Sequence, residues 1–597
     1  MTHPLDIAVV VGWLLITFAA GLFAGRQGAS DTEGFFVAGR SLPWWVVGTS
    51  MVATTFAADT PLAVSSYVAS GGIHDNWKWW FTGFGAVATT FFFARLWRRS
   101  EVITDAEIAE LRYGGPAAKG LRVLKALWFG VFFNLLVIAW VMRAMRTVVE
   151  TVLGLDEIAP LVLGWVAISP GVGVVLVLFL LAVAYTASSG LWGVVVTDVL
   201  QFGLAIFGAI VLAIYAWLHV GGLVGMQAGF LEHGFDWAAT TTLVPLNDPL
   251  WDGPTAKLAV LCTVTWWAAR NVDGGSYLAQ RLLAAEDEVH AMKGYLWFAV
   301  ANIAVRPWPW IVVGLAGMAL LGPIEDTQRY YPEMMVLLLP PGMLGLMVAS
   351  FLAAFMSTID TQLHWGTSLV INDVYRPFVR PDATDAHHLL ASRLCVVGLA
   401  VAGATASFVV TDITFAWELA LSVTAGLGSV FALRWYWWRV NAWSELAAMG
   451  VAMIGSLALQ VISWYDLWPS GLPAGWQKFP FDAALLTAVS ILVWVGVTWL
   501  TPPSDREHLR VFYRKVRPGG PGWKEIAGDI EGFAEDGPGW GEAVGFVGAN
   551  ALVFGALLGV GGLLVGRPVE GAFWLGVFGL GLGMTTWGMG RILGRAG

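Results

Sequence analysis

Two stretches of the chain combine charged side chains with helix-breaking residues at the centre of long apolar segments. The first is "ATTFAADTP" at residues 53–61, where Asp59 is followed closely by Pro61. The second is "ARNVDGGSY" at residues 269–277, which holds charged, amide and glycine residues in succession. A charge is costly in lipid and a broken helix leaves backbone groups unpaired, so both features are tolerated only where they line a cavity. Such groups bind ions and polar solutes in transporters, and we predict a binding site at these stretches.

A structural alternative is open for the first stretch. Asp59 could pair with a lysine or arginine and lock the helices together, while Pro61 only kinks its helix.

Hydroxyl and acidic residues in two further apolar segments are candidates for cation binding. Ser357 and Thr358 are adjacent in the segment 352–375, and Asp198 lies in the segment 185–205. Hard cations such as sodium prefer oxygen ligands, which a dry helix supplies as hydroxyls and carbonyls. The alternative is that the hydroxyls only pack between helices, as serine and threonine often do in membranes.

The composition is that of a membrane protein with little soluble mass. The 597 residues are 57% hydrophobic and only 13% charged, whereas soluble domains are roughly a quarter charged. Cys262 and Cys395 both fall in apolar segments, which argues against a disulfide framework. The sequence shows no nucleophile elbow, no Cys or His metal cluster and no phosphate-binding glycine loop. We therefore expect neither an enzyme nor a nucleic-acid-binding protein.

Apolar runs near the length of a bilayer crossing recur along the whole chain and predict about 15 membrane spans. Residues 6–25 are expected to be a retained helix rather than a signal peptide. When the N-terminus is placed outside, most of the 33 Lys and Arg residues fall on the inner side. The positive-inside rule then places the C-terminus in the cytoplasm. We expect an integral protein of the cell (inner) membrane.

The two unusual stretches lie in spans 43–72 and 255–282, each of which begins a run of five spans. An interrupted first helix in each of two five-helix halves is typical of inverted-repeat secondary transporters. The sequence therefore predicts an all-α polytopic fold in five parts. These are a leading helix and loop at 1–42, a first repeat at 43–220, an outside loop at 221–254, a second repeat at 255–440, and about four additional helices at 441–597 with a cytoplasmic linker near 501–540.

Four segments resemble, in the expected order, landmarks of the sodium:solute symporter family, which includes the sodium-coupled sugar, proline, pantothenate and sialic acid carriers. "GRSLPWWVVGTSMVA" (39–53) resembles the start of the first core helix, and "SGLWGVVVTDVLQ" (189–201) resembles the fifth. "QRLLAAEDEVHAMKG" (280–294) resembles the stretch after the sixth, and "AAFMSTIDTQL" (353–363) with "NDVY" (372–375) resembles the eighth. The resemblance covers residues 5–440 and implies a LeuT-type five-plus-five fold with one leading helix.

The resemblance also implies a sodium site between the first and eighth core helices. Its ligands would be the carbonyls of Ala53, Phe56 and Ala354 and the hydroxyls of Ser357 and Thr358. Asp198 matches the acid that is thought in this family to help the ion leave towards the cytoplasm.

A sugar site does not carry over from the family. The polar groups of the sugar carriers fall here near Thr60, Gly275, Asn302 and Trp417, and of these only Thr60 and Asn302 offer comparable hydrogen bonds. The chain instead supplies charged and amide groups at Asp59, Arg270, Asn271, Asp273 and Arg306. Arginine can bind a carboxylate and Asp59 an ammonium, which favours a zwitterion or an organic anion. The alternative is that Arg270 pairs with Asp59 or Asp273 in a structural network that binds no solute.

The sequence thus predicts a symporter that couples sodium to a small polar solute by alternating access, with the solute and the lipid bilayer as its partners. Two alternatives stay open. One is proton coupling through Asp59 or Asp198 on the same fold. The other is a membrane sensor on a transporter scaffold, which is less favoured because the region beyond residue 466 has no room for a signalling domain.

Overall fold

Helices make up nearly all of the protein in the computed structural model, which describes residues 3–25, 32–155, 158–163, 166–249, 253–410, 412–528, 530 and 537–596. Within these residues, nine helices are long and apolar enough to cross a membrane, and one bent pair would make a tenth. The predicted spans coincide with helices or with runs of helical segments. The prediction of an all-α, polytopic membrane protein is therefore confirmed.

The leading helix and the first half of the bundle contain thirteen α-helices within the described residues. In chain order they are α1 (Pro4–Gly25), α2 (Thr32–Val37), α3 (Trp44–Thr55), α4 (Asp59–Gly71), α5 (Trp77–Trp80), α6 (Thr82–Ala88), α7 (Ala94–Ser100), α8 (Ile108–Tyr113), α9 (Gly115–Leu127), α10 (Asn134–Leu153), α11 (Pro170–Val220), α12 (Gly222–His233) and α13 (Trp237–Thr240). Two short strands, β1 (Leu161–Leu163) and β2 (Val166–Ile168), pair antiparallel with Leu161 opposite Ile168. The 51 residues of α11 would extend about 76 Å as one straight helix. That length is more than twice the thickness of the hydrocarbon core of a bilayer.

The second half and the C-terminal part continue the series. Their helices are α14 (Gly253–Val260), α15 (Trp266–Ala268), α16 (Tyr277–Ala284), α17 (Glu288–Val300), α18 (Pro307–Leu321), α19 (Tyr330–Leu338), α20 (Met343–Val370), α21 (Asp385–Ala406), α22 (Ile413–Ser422), α23 (Leu427–Tyr436), α24 (Ala442–Trp464), α25 (Phe481–Leu500), α26 (Arg506–Val516), α27 (Lys524–Ala527), α28 (Trp540–Leu564) and α29 (Pro568–Ala596). Helices α22 and α23 form the bent pair, with 46° between them.

Two kinds of irregular turn link these helices. Among the described residues, π-helical segments join consecutive helices at Thr89–Phe93, Trp128–Phe133, Leu261–Thr265 and Ala301–Val305, and another, Ile371–Val379, extends α20. Such segments are frequently found at functional sites. Short 3₁₀ turns lie at Ala38–Arg40, Ile73–Asn76, Thr327–Arg329, Ala474–Gln477 and Pro521–Trp523.

The first predicted interruption is present as a gap between α3 and α4. Helix α3 ends at Thr55 and α4 begins at Asp59, so residues 56–58 lie outside regular helix. Pro61 is the third residue of α4, where the backbone N–H has no intrahelical partner in any case. The proline therefore helps to start a helix, and the alternative that it kinks a continuous one is wrong.

The second interruption separates α15 from α16. Residues 269–276 between them are not α-helical, and Gly274 and Ser276 have φ angles of 81° and 78°. Left-handed backbone of this kind suits glycine and is strained for serine. The charges predicted in this stretch are thus carried on irregular backbone inside the bundle.

The leading helix is joined to α20 by a buried carboxylate. The Oδ1 atom of Asp6 accepts hydrogen bonds from the backbone N–H groups of Gly342 and Gly345, both at 2.7 Å. These donors lie at the start of α20, where a helix leaves its N–H groups unpaired. Asp6 therefore supplies, from another helix, the cap that α20 lacks in its own sequence.

The segment near 501–540 is folded against the bundle and is not the simple linker that its Pro, Gly and charge content predicted. Trp523 is fully buried, and its indole donates to the carbonyl of Trp435 at 2.7 Å. The guanidinium of Arg112 lies 4.7 Å from the Trp523 ring and donates to the carbonyl of Arg434 at 2.7 Å. The buried face of α26 consists of Leu509, Phe512, Tyr513 and Val516. Residues 529 and 531–536 of this segment lie outside the described residues.

The last two helices pack against each other through glycines, and α28 also packs on α18. The indole of Trp308 donates to the carbonyl of Leu557 at 2.9 Å. A Cβ atom added at Gly561 would lie 1.9 Å from the Trp308 ring. The contact between the C-terminal hairpin and the bundle thus depends on the absence of a side chain at this position.

Candidate functional site

The end of α3 lies against the middle of α20, where Thr358 is one of the proposed sodium ligands. The hydroxyl of Thr358 donates to the carbonyl of Thr54 at 3.1 Å. Ser357 and Thr358 are 1% and 2% exposed, so both hydroxyls are out of contact with bulk water. The surrounding donors are hydroxyl and carbonyl oxygens, which suit a hard cation such as sodium. The chemistry of Ser357 and Thr358 is therefore compatible with the predicted sodium site, whose set of ligands stays a prediction.

A buried ionic network adjoins this point. Asp198 accepts from the hydroxyls of Ser50, at 2.5 Å, and Ser357, and lies 3.5 Å from the guanidinium of Arg281. Arg281 also donates to the hydroxyl of Thr361 at 2.5 Å. Both side chains of the ion pair are completely buried. A buried carboxylate needs a counter-charge of this kind, because an unpaired one is strongly destabilising.

The sequence analysis did not single out Arg281, because this residue lies at the inner end of the predicted span 255–282 and was assigned to the positively charged inner side. Its position inside the limits of span 255–282 was the available signal. An arginine there needs a carboxylate partner, and Asp198 was an unmatched acid in another span.

Asp273 is held in a structural contact away from the cavity described below. Its Oδ2 accepts from Arg434 at 2.7 Å and from the indole of Trp435 at 2.9 Å. Its Oδ1 accepts the N–H of Gly275 at 3.1 Å. Asp273 therefore ties the irregular backbone of the second interruption to α23 and has no free oxygen for a solute.

A cavity of about 210 Å³ lies between the second interruption and α22, and we call it the main cavity. Its walls are largely aromatic and apolar, with a few polar groups. The lining residues are Lys78, Trp79, Thr82, Phe133, Trp140, Ala269, Arg270, Asn271, Trp417, Ala420, Leu421 and Thr424. Of the eight predicted solute-binding residues, Arg270, Asn271 and Trp417 therefore line the main cavity directly.

Asp59 lies behind the cavity wall, in contact with Trp417. Its Oδ2 accepts the indole N–H of Trp417 at 2.7 Å, while its Oδ1 is buried and has no hydrogen-bond partner among the described residues. Asp59 is 2% exposed. A buried carboxylate oxygen without a donor is costly, so this atom can accept a hydrogen bond from a ligand.

Arg270 presents a guanidinium without an anionic partner. Its Cζ atom lies 3.8 Å from the centre of the Phe133 ring and 5.2 Å from that of Phe129. Among the described residues, it forms neither an ion pair nor a hydrogen bond. The alternative that Arg270 pairs with Asp59 or Asp273 is therefore wrong, because those carboxylates are bonded to Trp417 and Arg434.

Arg306 and Asn302 lie next to the first interruption rather than in the main cavity. Arg306 donates to the carbonyl of Asn302 at 3.1 Å and to the hydroxyl of Thr55 at 3.2 Å. The Thr55 hydroxyl in turn donates to the side-chain oxygen of Asn302 at 3.2 Å. Thr60 is buried in the first turn of α4. The sequence did not single out Thr55, which connects these two residues to the end of α3.

The two interrupted helices, the buried hydroxyl and carbonyl oxygens between α3 and α20, and a cavity with unmatched charges define the class of protein. They are the parts of a membrane transporter that binds an ion and a solute within one helical bundle.

A family model described as the sodium:solute symporter family matches residues 35–455, and the chain belongs to this family. Among its relatives, a sodium/glucose cotransporter 4 from Danio rerio is 24% identical over 84% of this chain and 80% of its own length. A sodium/myo-inositol cotransporter from Mus musculus is 24% identical over 85% of this chain and 74% of its own length.

The fold is also shared with a solved structure, a substrate-bound, outward-open Na⁺-coupled sialic acid symporter. It superposes with a TM-score of 0.66 at 18% identity and covers 84% of this chain and 99% of the other. The LeuT-type fold is thereby confirmed. Membership of the sodium:solute symporter family confirms sodium as the coupling ion. Membership of this family favours sodium over protons as the coupling ion. The sensor role stays a prediction that the comparisons do not test.

Proposed function

We propose that this protein carries a small carboxylate-bearing solute, preferably a zwitterion, across the membrane together with sodium by alternating access. The observation that carries the proposal is the guanidinium of Arg270, which lines the main cavity without an anionic partner. A partly buried arginine such as Arg270 is stabilised by a carboxylate that it can bind through two parallel hydrogen bonds. A solute with a carboxylate supplies this missing group.

The zwitterion is favoured over a simple anion because of Asp59. Its free Oδ1 atom lies next to Trp417, which lines the main cavity, and an ammonium group supplies both a charge and a donor to it. Between these groups the cavity wall is formed by rings such as Trp79 and Trp140. Aromatic faces accommodate an apolar body and also attract cations. An amino acid with an apolar side chain has all three features.

Sodium is proposed to bind the carbonyls and hydroxyls predicted above, from Ala53, Phe56, Ala354, Ser357 and Thr358. Bound there, it would hold the irregular residues 56–58 in order and so shape the neighbouring solute site. Asp198, bonded to Ser357, would accept the ion on its way out towards the cytoplasm. Since the coupling is a free energy between two sites, sodium and solute must each raise the affinity for the other by the same factor.

The proposed arrangement in the cell follows from the charge distribution. The N-terminus lies outside, the C-terminus in the cytoplasm, and the protein in the cell (inner) membrane. The two repeats are proposed at 43–220 and 255–440, with the leading helix, the outside loop at 221–254 and the C-terminal helices outside them.

The test is uptake into proteoliposomes with a sodium gradient. A ¹⁴C-labelled amino-acid mixture, labelled glucose and labelled myo-inositol are compared, since relatives are named for the last two solutes. We expect sodium-dependent uptake from the amino-acid mixture. Uptake of glucose or myo-inositol alone would overturn the proposed solute class.

The matched variants are Arg270→Gln and Arg146→Gln. Removing one partner of a buried charge pair costs about 2–5 kcal/mol, which is about 30-fold or more in half-saturating solute concentration. Arg146 is the control, because it is partly exposed and pairs with Glu150 on the same helix. Unchanged half-saturation in the Arg270 variant would show that this residue does not bind the solute.

A further inference from the structure

A second, smaller cavity shares Arg270 with the main cavity as a lining residue. It has a volume of about 10 Å³, and we call it the minor cavity. Such a space holds about one water molecule. Its polar lining consists of Asp105, Lys125, Ser276, Arg434 and Arg270 itself. Arg270 therefore borders both cavities.

Two of the cations that border the minor cavity already have carboxylate partners. Lys125 forms an ion pair with Glu445. Arg434 pairs with Asp273 at 2.7 Å and lies 3.5 Å from Glu445. These charges are balanced behind the cavity wall and do not require a further anion.

Asp105 and Arg270 are left as charged groups without an ionic partner among the described residues. The carboxylate of Asp105 accepts only neutral donors, the N–H of Ser276 at 3.0 Å and the indole N–H of Trp365 at 3.3 Å. The ring of Trp365 lies 5.9 Å from the Cζ atom of Arg270. One aromatic ring thus contacts both groups.

We infer that Asp105 is the carboxylate that takes the place of the solute's carboxylate on Arg270 when the solute leaves. This inference rests on the proposed function, in which Arg270 binds the solute. Release of the solute would otherwise leave the partly buried guanidinium of Arg270, which lies against the Phe133 ring, without a counter-charge, and such a state is disfavoured. Arg270 lies on the irregular residues 269–276, followed by Gly274 and Gly275, so its backbone is less constrained than that of a helix. Asp105 is a positioning residue for release and for the return of the empty carrier.

The proposed role of Asp105 affects net uptake and exchange differently. Net uptake requires the empty carrier to return, whereas exchange of labelled for unlabelled solute does not. Loss of the Asp105 charge should therefore slow net uptake and leave exchange intact. A residue that only holds the fold together would affect both modes alike.

The experiment uses the full-length protein in proteoliposomes with the ¹⁴C-labelled amino-acid mixture. Net sodium-driven uptake is compared with exchange into vesicles preloaded with the same unlabelled mixture and with sodium on both sides. For Asp105→Asn we expect net uptake at least tenfold slower, exchange within twofold of the parent, and an unchanged or lower half-saturating concentration. Asp105→Glu, which keeps the charge, should restore net uptake.

Glu107→Gln is the matched control. Glu107 is in the same turn, and its carboxylate accepts the N–H of Ile103 instead of bordering the minor cavity. Equal losses of uptake and exchange in Asp105→Asn, or no loss of net uptake, would overturn the inference while leaving the proposed function in place. A parent protein that takes up nothing from the mixture would instead count against the proposed function, and the inference would fall with it.

Discussion

Replacing Ser357 and Thr358 together with alanine tests the sodium site most directly. Both hydroxyls are buried in the middle of α20, and that of Thr358 reaches the end of α3. The double substitution removes two of the five proposed ligands and leaves the three carbonyl ligands unchanged. It also removes a donor to Asp198.

The size of the effect follows from the charge of the ion. A hydrogen-bond-type contact to a charged group contributes about 1.5–3 kcal/mol, so two hydroxyls contribute about 3–6 kcal/mol. At about 1.4 kcal/mol per factor of ten, sodium affinity should fall by about 10²- to 10⁴-fold. Water that enters the vacated space would move the result towards the lower figure.

The assay is thermal unfolding of the purified protein over a range of sodium concentrations at constant ionic strength with potassium. An ion that binds only the folded state raises the apparent melting temperature by mass action, and no solute has to be known. Ser350→Ala is the control, because this buried serine lies two turns earlier on the same face of α20 and bonds only to the carbonyls of Leu204 and Leu346. A sodium half-saturation of the double variant within threefold of the parent would refute the assignment.

Two further predictions concern stability. Arg281→Gln leaves Asp198 buried without its counter-charge and should cost about 3–5 kcal/mol, read as a lower melting temperature. Adding Asp198→Asn should recover part of this loss, and additive losses would show that the two residues do not interact. Gly561→Ala would force the new methyl group into the ring of Trp308 and should destabilise the protein by about 1–3 kcal/mol. Gly576→Ala, with nothing within 4 Å of its Cβ, should have little effect, and equal melting temperatures for the two variants would contradict the packing argument.

The interruptions and spans could be predicted from the sequence because their signals are local. Asp59 with Pro61, and the glycine pair after Arg270, interrupt a helix whatever the tertiary structure around them. Apolar periodicity likewise depends only on residues that are near in sequence. The partners of Asp59 and Asp273 could not be predicted, because Trp417 and Arg434 are distant in sequence and nothing in the local pattern selects them.

Composition misled the prediction of the segment near 501–540 for a related reason. Proline, glycine and charged residues indicate a loop. Helix α26, however, has its apolar residues on one side, and these residues stabilise a packed helix only where another surface of the protein covers them. That surface is formed by Arg112 and its neighbours, which precede it by hundreds of residues.

The contact of Trp523 with Arg112 and Trp435 can form only late in the synthesis of the chain. The ribosome makes α1 to α25 before it reaches α26 and Trp523, and domains generally fold from the N-terminus during synthesis. Until those residues emerge, the guanidinium of Arg112 lacks the Trp523 ring and the carbonyl of Trp435 lacks the indole donor of Trp523. The face of the bundle that contacts α26 is therefore completed late, and a nascent chain that stops before Arg506 presents a different surface to chaperones and proteases from that of the full-length transporter.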